Sequence, residues 1–236
     1  MKLSKQTVRR MFDDPKSPYF SFINDLLSFA TILSILTVVL ETVPSLNHYE
    51  KVFLTVEWFA VILFSIEYIS RLWSAKIRSS YAFSLFGIID LVAILPTILG
   101  LGNLSFLKSA RVVRIIRFLR IARISKISRT SLKDTEETMG VFGFNIALYA
   151  ATLIFTILIL GASMHIFIND NNTYWSIPAG MYWAFAVFLG GLPAPIPEGT
   201  AGTIIFILTK FLGMALFGLL IGVISKIFNQ WILGKK

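Results

Sequence analysis

RVVRIIRFLRIARISKISR, Arg111 to Arg129, carries a cation at every third position: Arg111, Arg114, Arg117, Arg120, Arg123, Lys126 and Arg129. Most residues between them are Val, Ile, Leu, Phe or Ala. In an α-helix a step of three turns about 300° and rises about 4.5 Å, so the cations wind slowly round the axis. In a 3₁₀-helix they would fall on one face. Each cation near the centre of a bilayer costs about 2.5–3.5 kcal/mol, so a ladder of this length placed there alone would cost well over 10 kcal/mol. If it crosses a membrane, acids must lie at membrane depth beside it.

The rest of the chain makes a membrane the natural setting. Of its 236 residues 56% are hydrophobic and only 15% charged, with a mean hydropathy of +0.74, where soluble domains carry about 25% charged residues. Six runs approach the roughly 20 apolar residues that span a bilayer: 20–43, 52–73, 83–101, 106–131, 141–168 and 203–232, with a short apolar piece, 179–188, before the last. The first twenty residues hold Lys2, Lys5, Arg9, Arg10 and Lys16, so no cleavable signal peptide is expected there. The absence of cysteine excludes a disulfide framework, thiolate metal sites and a cysteine nucleophile. Lys and Arg cluster before the first run and after the second, fourth and sixth, while the opposite loops hold only Lys51 and Lys108. By the positive-inside rule both termini are expected in the cytoplasm.

The required acids are present. Glu57 and Glu67 lie in the second run and Asp90 in the third; Asp25 and Glu41 lie in the first. Glu57 and Glu67 are ten residues apart, about 15 Å along a helix, and so can serve different rungs. Arg71 follows Glu67 by four residues and can balance it from the same face. A membrane field acts on such cations with about 2.3 kcal/mol per charge per 100 mV, so movable cations between fixed acids form a voltage sensor. Two other readings fit less well. A helix lying on the membrane would segregate its charges to one face, and a nucleic-acid-binding helix would be set in soluble sequence.

The motifs around the ladder resemble the six-segment voltage-gated potassium channel family over nearly the whole chain. VVLETVP is similar to the end of that family's first segment and FSIEYISRLW to its second, with Phe64, Glu67 and Arg71 matching. GIIDLVAILPTI is similar to its third, with the acid at Asp90; RFLRIARISKISR matches its sensing segment in spacing. SIPAGMYWAFAVF looks like its pore helix and LLIGVISKIF like the inner end of its last segment. The resemblance implies an all-α membrane protein: a four-helix voltage-sensor domain plus a two-helix pore domain with a re-entrant pore helix and loop. It also implies that Phe64 forms a hydrophobic plug past which the cations step, and that four subunits surround one axis.

The resemblance breaks at the filter. After YWA the family carries Thr-Val-Gly-Tyr-Gly-Asp, whereas here stand Leu189, Gly190, Gly191, Leu192, Pro193 and Ala194. Pro193 and Pro195 fix φ and remove amide donors, so a stack of evenly directed carbonyls is hard to build and potassium selectivity does not carry over. Glu198, just beyond, is either an acidic ring at the outer mouth or a solvated turn carboxylate. Lys210 falls on the stripe Lys210, Met214, Phe217, Ile221, which can face a pore. Its ammonium would then oppose cations, or it snorkels to the interface or to nearby pore elements. Gly213 is either a hinge or a close-packing position. The end from Ile221 to Phe228 is expected to form an apolar constriction that gates by dewetting.

These readings combine into a cytoplasmic N-terminus at 1–19, a sensor at 20–131, a linker at 126–140 and a pore domain at 141–236. The expected partners are the lipid bilayer, a permeating inorganic ion and three further copies in a homotetramer, with no nucleic acid; the expected setting is a prokaryotic-type plasma membrane. No cofactor and no metal are called for, and no catalytic constellation suggests an enzyme. The expected function is a voltage-gated channel resembling potassium channels, conducting cations with altered selectivity. The alternative is a voltage-responsive membrane protein whose pore is sealed or passes anions. A secondary transporter would require internal repeats, which the sequence does not display.

Overall fold

A computed structural model describes residues 4–14, 17–100, 124–168, 173–190 and 195–233, and for 124–144 the helix but not the side chains. In chain order the helices are α1 (Lys5–Asp13), α2 (Pro18–Glu41), α3 (Glu50–Ser74), α4 (Arg78–Ala82), α5 (Leu85–Gly100), α6 (Ile124–Phe167), α7 (Ile177–Phe188) and α8 (Gly199–Leu233), with a 3₁₀ turn at Pro44–Tyr49. No strand occurs among the described residues. The contacts divide the chain into two units: unit 1 comprises Met1–Glu41 and Ser45–Leu132, unit 2 Thr42–Pro44 and Lys133–Lys236.

Unit 1 is built on α2, α3 and α5. Along α3, Glu57, Ala60, Val61, Phe64 and Glu67 are buried, a stripe at helical spacing that faces the neighbouring helices. Ala30 of α2, Ala60, Val61 and Phe64 of α3, and Ala93 and Ile94 of α5 form one core, with small residues letting the backbones approach. Threonines inside α2 satisfy their hydroxyls locally, Thr31 donating to the Leu27 carbonyl at 2.7 Å and Thr37 to that of Leu33 at 2.9 Å. The N-terminal polar residues form the amphipathic helix α1. Ser4 caps it by accepting from the Thr7 amide at 3.1 Å. Val8 is buried while Lys5, Arg9 and Arg10 are exposed. The helix packs on both α2 and α3.

In unit 2 the core gathers Ile157, Leu160 and Met164 of α6, Trp183, Ala184, Val187 and Phe188 of α7, and Ile205 and Leu216 of α8. α6 is one unbroken helix of 44 residues that takes in the polar stretch 126–140. Its run of Ser, Lys, Asp, Thr and Glu contains no proline and no glycine before Gly140, so nothing in it stops a helix. α7 has 12 residues, too short to span a bilayer. Ser176 caps it, accepting from the Ala179 amide at 3.2 Å, and the Thr42 hydroxyl accepts from the Ile177 amide at 2.9 Å. Gly161 of α6 and Gly180 of α7 touch directly: a Cβ on Gly180 would collide with the Gly161 carbonyl, and one on Gly161 with the Met181 backbone.

Four described helical stretches are long and apolar enough to cross a membrane: Pro18–Glu41, Pro44–Ser74, Asn145–Phe167 and Gly199–Lys226. α5 is shorter, at 16 residues. The fourth expected segment lies mostly outside the described residues.

Candidate functional site

The first candidate site is a line of buried carboxyls in unit 1. Glu57, Glu67 and Asp90 are 2%, 3% and 0% exposed, and Phe64, between the two glutamates on α3, is 0% exposed. A buried carboxyl is costly without partners, and each has one here. Thr97 of α5 donates its hydroxyl to Glu57 Oε1. The Arg71 Nε–H donates to Glu67 Oε1 at 3.0 Å, the i, i+4 pairing that their spacing suggested. The Tyr81 phenol donates to Asp90 Oδ2 at 2.8 Å. Burial, and then the adjacent Asp90 carboxyl, push the Tyr81 phenol well above its ordinary range, so it stays a donor.

Thr97 and Tyr81 were not among the residues singled out from sequence. A signal for Thr97 exists: it follows Asp90 by seven residues, two turns along the same face of α5. Tyr81 lies on the short helix α4, and only the chain reversal between α3 and α5 brings its hydroxyl to Asp90. Of the ladder, Arg111, Arg114, Arg117, Arg120 and Arg123 lie outside the described residues, and Lys126 and Arg129 fall in the first turns of α6.

The second candidate site is the return after α7. Leu189 and Gly190 close the helix in a turn, their amides donating to the carbonyls of Phe185 and Val187 at 3.1 and 3.2 Å. Gly190 has φ +70°, a conformation that favours glycine. Gly191, Leu192, Pro193 and Ala194 lie outside the described residues. Beyond them, the Pro195 carbonyl accepts two hydrogen bonds, from Trp183 Nε1 at 3.0 Å and from the Tyr174 hydroxyl at 3.1 Å. Those two rings pack edge to face with centroids 5.9 Å apart, and His165 Nδ1 lies 2.8 Å from the Tyr174 carbonyl oxygen. Irregular backbone is thus fixed to the pore-helix candidate by an aromatic pair, a connection that the motifs did not reveal.

Glu198 is exposed, immediately before the Gly199 that opens α8 with φ +81°. On α8, Met214, Phe217 and Ile221 are 67%, 45% and 66% exposed, and Lys210 shares that open face with its ammonium 5.7 Å from the Phe206 ring centroid. Gly213 is buried, and a Cβ there would meet Phe188 Cδ1 at 2.7 Å. Gly218 and Gly222 have open space beside them.

The sequence profile of the family described as ion transport protein matches residues 19–233. The chain belongs to that family. Among its relatives is the potassium voltage-gated channel protein Shal of Drosophila melanogaster, 27% identical over 253 aligned residues that take in 96% of this chain and 43% of Shal. Another is the human A-type voltage-gated potassium channel KCND3, 26% identical over 252 aligned residues, 96% of this chain and 38% of the relative. The chain therefore spans less than half the length of these relatives. The resemblance drawn from the motifs holds at the level of family. An ion transport family member with four apolar helices of spanning length is an integral membrane protein, and its relatives are channels rather than enzymes.

Proposed function

We propose that the chain is a subunit of a homotetrameric voltage-gated ion channel with both termini in the cytoplasm. Residues 20–131 are its sensor and 141–236 its pore domain, with 126–140 as the mechanical link. The observation that carries this reading is the set of three buried, individually partnered carboxyls, Glu57, Glu67 and Asp90, around a fully buried Phe64. The same chain holds seven cations at three-residue steps. Fixed acids at membrane depth offset the cost of moving cations past them, and Phe64 separates the water on the two sides. The return after α7, whose described residues Leu189, Gly190 and 195–198 are not helical, would offer backbone to an ion, which is tolerated at membrane depth only where it lines a cavity or is buried in protein.

The tetramer is supported by the open apolar face of Met214, Phe217 and Ile221, which one copy leaves uncovered and which four copies would turn toward a common axis. The relatives are named as potassium channels, but Leu189 to Ala194 departs from their filter, so the permeant ion is a cation without a strong potassium preference. The position of Lys210 on the same face is the one observation favouring the second reading, a sealed or anion-passing pore.

Purified protein in planar bilayers, ramped under potassium, sodium and chloride gradients, tests this. A voltage-dependent current reversing with the cation gradients is expected, and Arg117→Gln with Arg120→Gln should flatten its voltage dependence. Unchanged steepness would remove the sensor reading. A reversal that follows chloride, or no current at any voltage, would transfer support to the second.

A further inference from the structure

Glu67 and Asp90 are held by donors of different kinds. The Arg71 Nε–H brings Glu67 a positive charge along with its hydrogen bond at 3.0 Å. Asp90 takes its bond from the Tyr81 phenol at 2.8 Å. Around that phenol stand Asp90 of α5 and Glu67 and Arg71 of α3. Burial first, and then Asp90, push it well above its ordinary range, so it donates and carries no charge.

The reversal between α3 and α5 fixes the phenol from several sides. The Tyr81 ring lies against Tyr68 of α3, with centroids 6.0 Å apart. The Tyr81 carbonyl accepts from the Ser84 hydroxyl at 2.6 Å and from the Ser84 amide at 3.0 Å. The Gly87 amide in turn donates to that hydroxyl at 3.1 Å. Gly87 comes so close that a Cβ on it would strike the Tyr81 carbonyl.

A buried carboxyl on the path of a moving cation meets two conflicting requirements. It needs a donor that satisfies it and holds it in one orientation. A cationic donor would repel every ladder cation that came up to the acid, and in a low dielectric that repulsion is strong. A protonated phenol holds one oxygen and adds no charge of its own. We propose that Tyr81 is a positioning residue of the sensor: its phenol holds Asp90 for the passage of ladder cations without repelling them. This rests on the reading of unit 1 as a voltage sensor. Without the phenol Asp90 is one donor short, so a ladder cation beside it supplies what is missing, sits deeper there and leaves more slowly.

The full chain is labelled with a fluorophore through Ser109→Cys, just before the ladder in a sequence with no other cysteine. Its fluorescence is followed in planar bilayers after voltage steps. Tyr81→Phe should slow the response about tenfold, the factor that fits one lost hydrogen bond to a charged group. The steepness of the voltage dependence should not change, since no ladder charge is removed. In an Asp90→Asn chain, Tyr81→Phe should alter the rate less than about twofold, because its effect runs through that carboxylate. Tyr68→Phe keeps both the ring contact and the bond to Asp90 and should respond like the parent. A parent-like rate in Tyr81→Phe would overturn the role, as would equal slowing in the Asp90→Asn background or by Tyr68→Phe. A parent label that responds at no voltage would instead remove the sensor reading itself, and the role with it.

Discussion

Phe64 has no exposed surface and is the largest buried side chain of a core that it shares with Ala30, Ala60, Val61, Ala93 and Ile94. Little can collapse into the space it would vacate, so Phe64→Ala should destabilise unit 1 by about 3–5 kcal/mol, while Phe64→Leu, which keeps much of the volume, should cost less. Thermal unfolding of the detergent-solubilised chain measures the difference, and equal melting temperatures for the two variants would mean that the site is not packed this way. Tyr81→Phe removes the donor to Asp90 and should cost about 1–3 kcal/mol. Its pH dependence has a defined sign. Burial and Asp90 raise the folded phenol above its ordinary value, so the contribution is intact below about pH 10 and is lost as the pH rises past the unfolded pKa, where only the unfolded chain ionises. Wild type should therefore lose stability above about pH 10 more steeply than Tyr81→Phe. At this scale the sequence was legible for Glu57, Glu67, Arg71 and Asp90, because polar residues inside apolar runs stand out, while Phe64 was named only through the family resemblance. It did not single out Tyr81, whose role depends on the chain reversal before α5, and gave for Thr97 only its spacing from Asp90, since its partner Glu57 lies 40 residues away.

The helices themselves were nearly all readable, since apolar length and flanking charge decide them: the runs 20–43 and 52–73 appear as Pro18–Glu41 and Glu50–Ser74. The sequence reading assigned no helix to α1, where nine residues with a high polar content carry only three apolar anchors; its stability comes from docking on α2 and α3, not from any local run. The close crossing of α6 and α7 was equally hidden, because a glycine within an apolar helix does not announce which backbone it meets. Gly180→Ala should disrupt that crossing, since its Cβ would strike a carbonyl, a backbone atom that cannot rotate away. Gly218→Ala on α8 has open space and should be neutral in the isolated subunit. Monodispersity and melting temperature after purification compare the two; since alanine favours a helix over glycine, comparable loss in both would mean that the Gly161 crossing is not what makes position 180 sensitive. Trp183→Phe keeps the ring against Tyr174 but deletes one of the two donors to Pro195, so it should leave helix content unchanged while loosening the return loop, read as faster proteolysis after α7.

For the whole molecule the decisive question is what the return after α7 does to an ion, and here the family pattern and the local chemistry point in different directions. The relatives carry potassium in their names, while this chain places Pro193 inside the stretch aligned with the family filter and Pro195 just after it. A selective filter needs successive carbonyls aimed inward from residues free to adopt the required φ. Proline fixes φ near −65° and donates nothing to hold the strand from behind. The structure adds a constraint just beyond that stretch: the Pro195 carbonyl accepts from both Trp183 and Tyr174, so the exit of the return is tied to the wall. With fewer carbonyls to replace the hydration shell, the pore should separate potassium from sodium by less than tenfold, under about 1.4 kcal/mol. Bi-ionic reversal potentials on reconstituted protein measure this ratio directly. Trp183→Phe supplies the internal control: if the tether at Pro195 limits selectivity, releasing one of its two donors should shift the reversal potential, whereas a ratio above a hundred in the parent chain would mean that the residues from Gly191 to Ala194 build a filter despite Pro193.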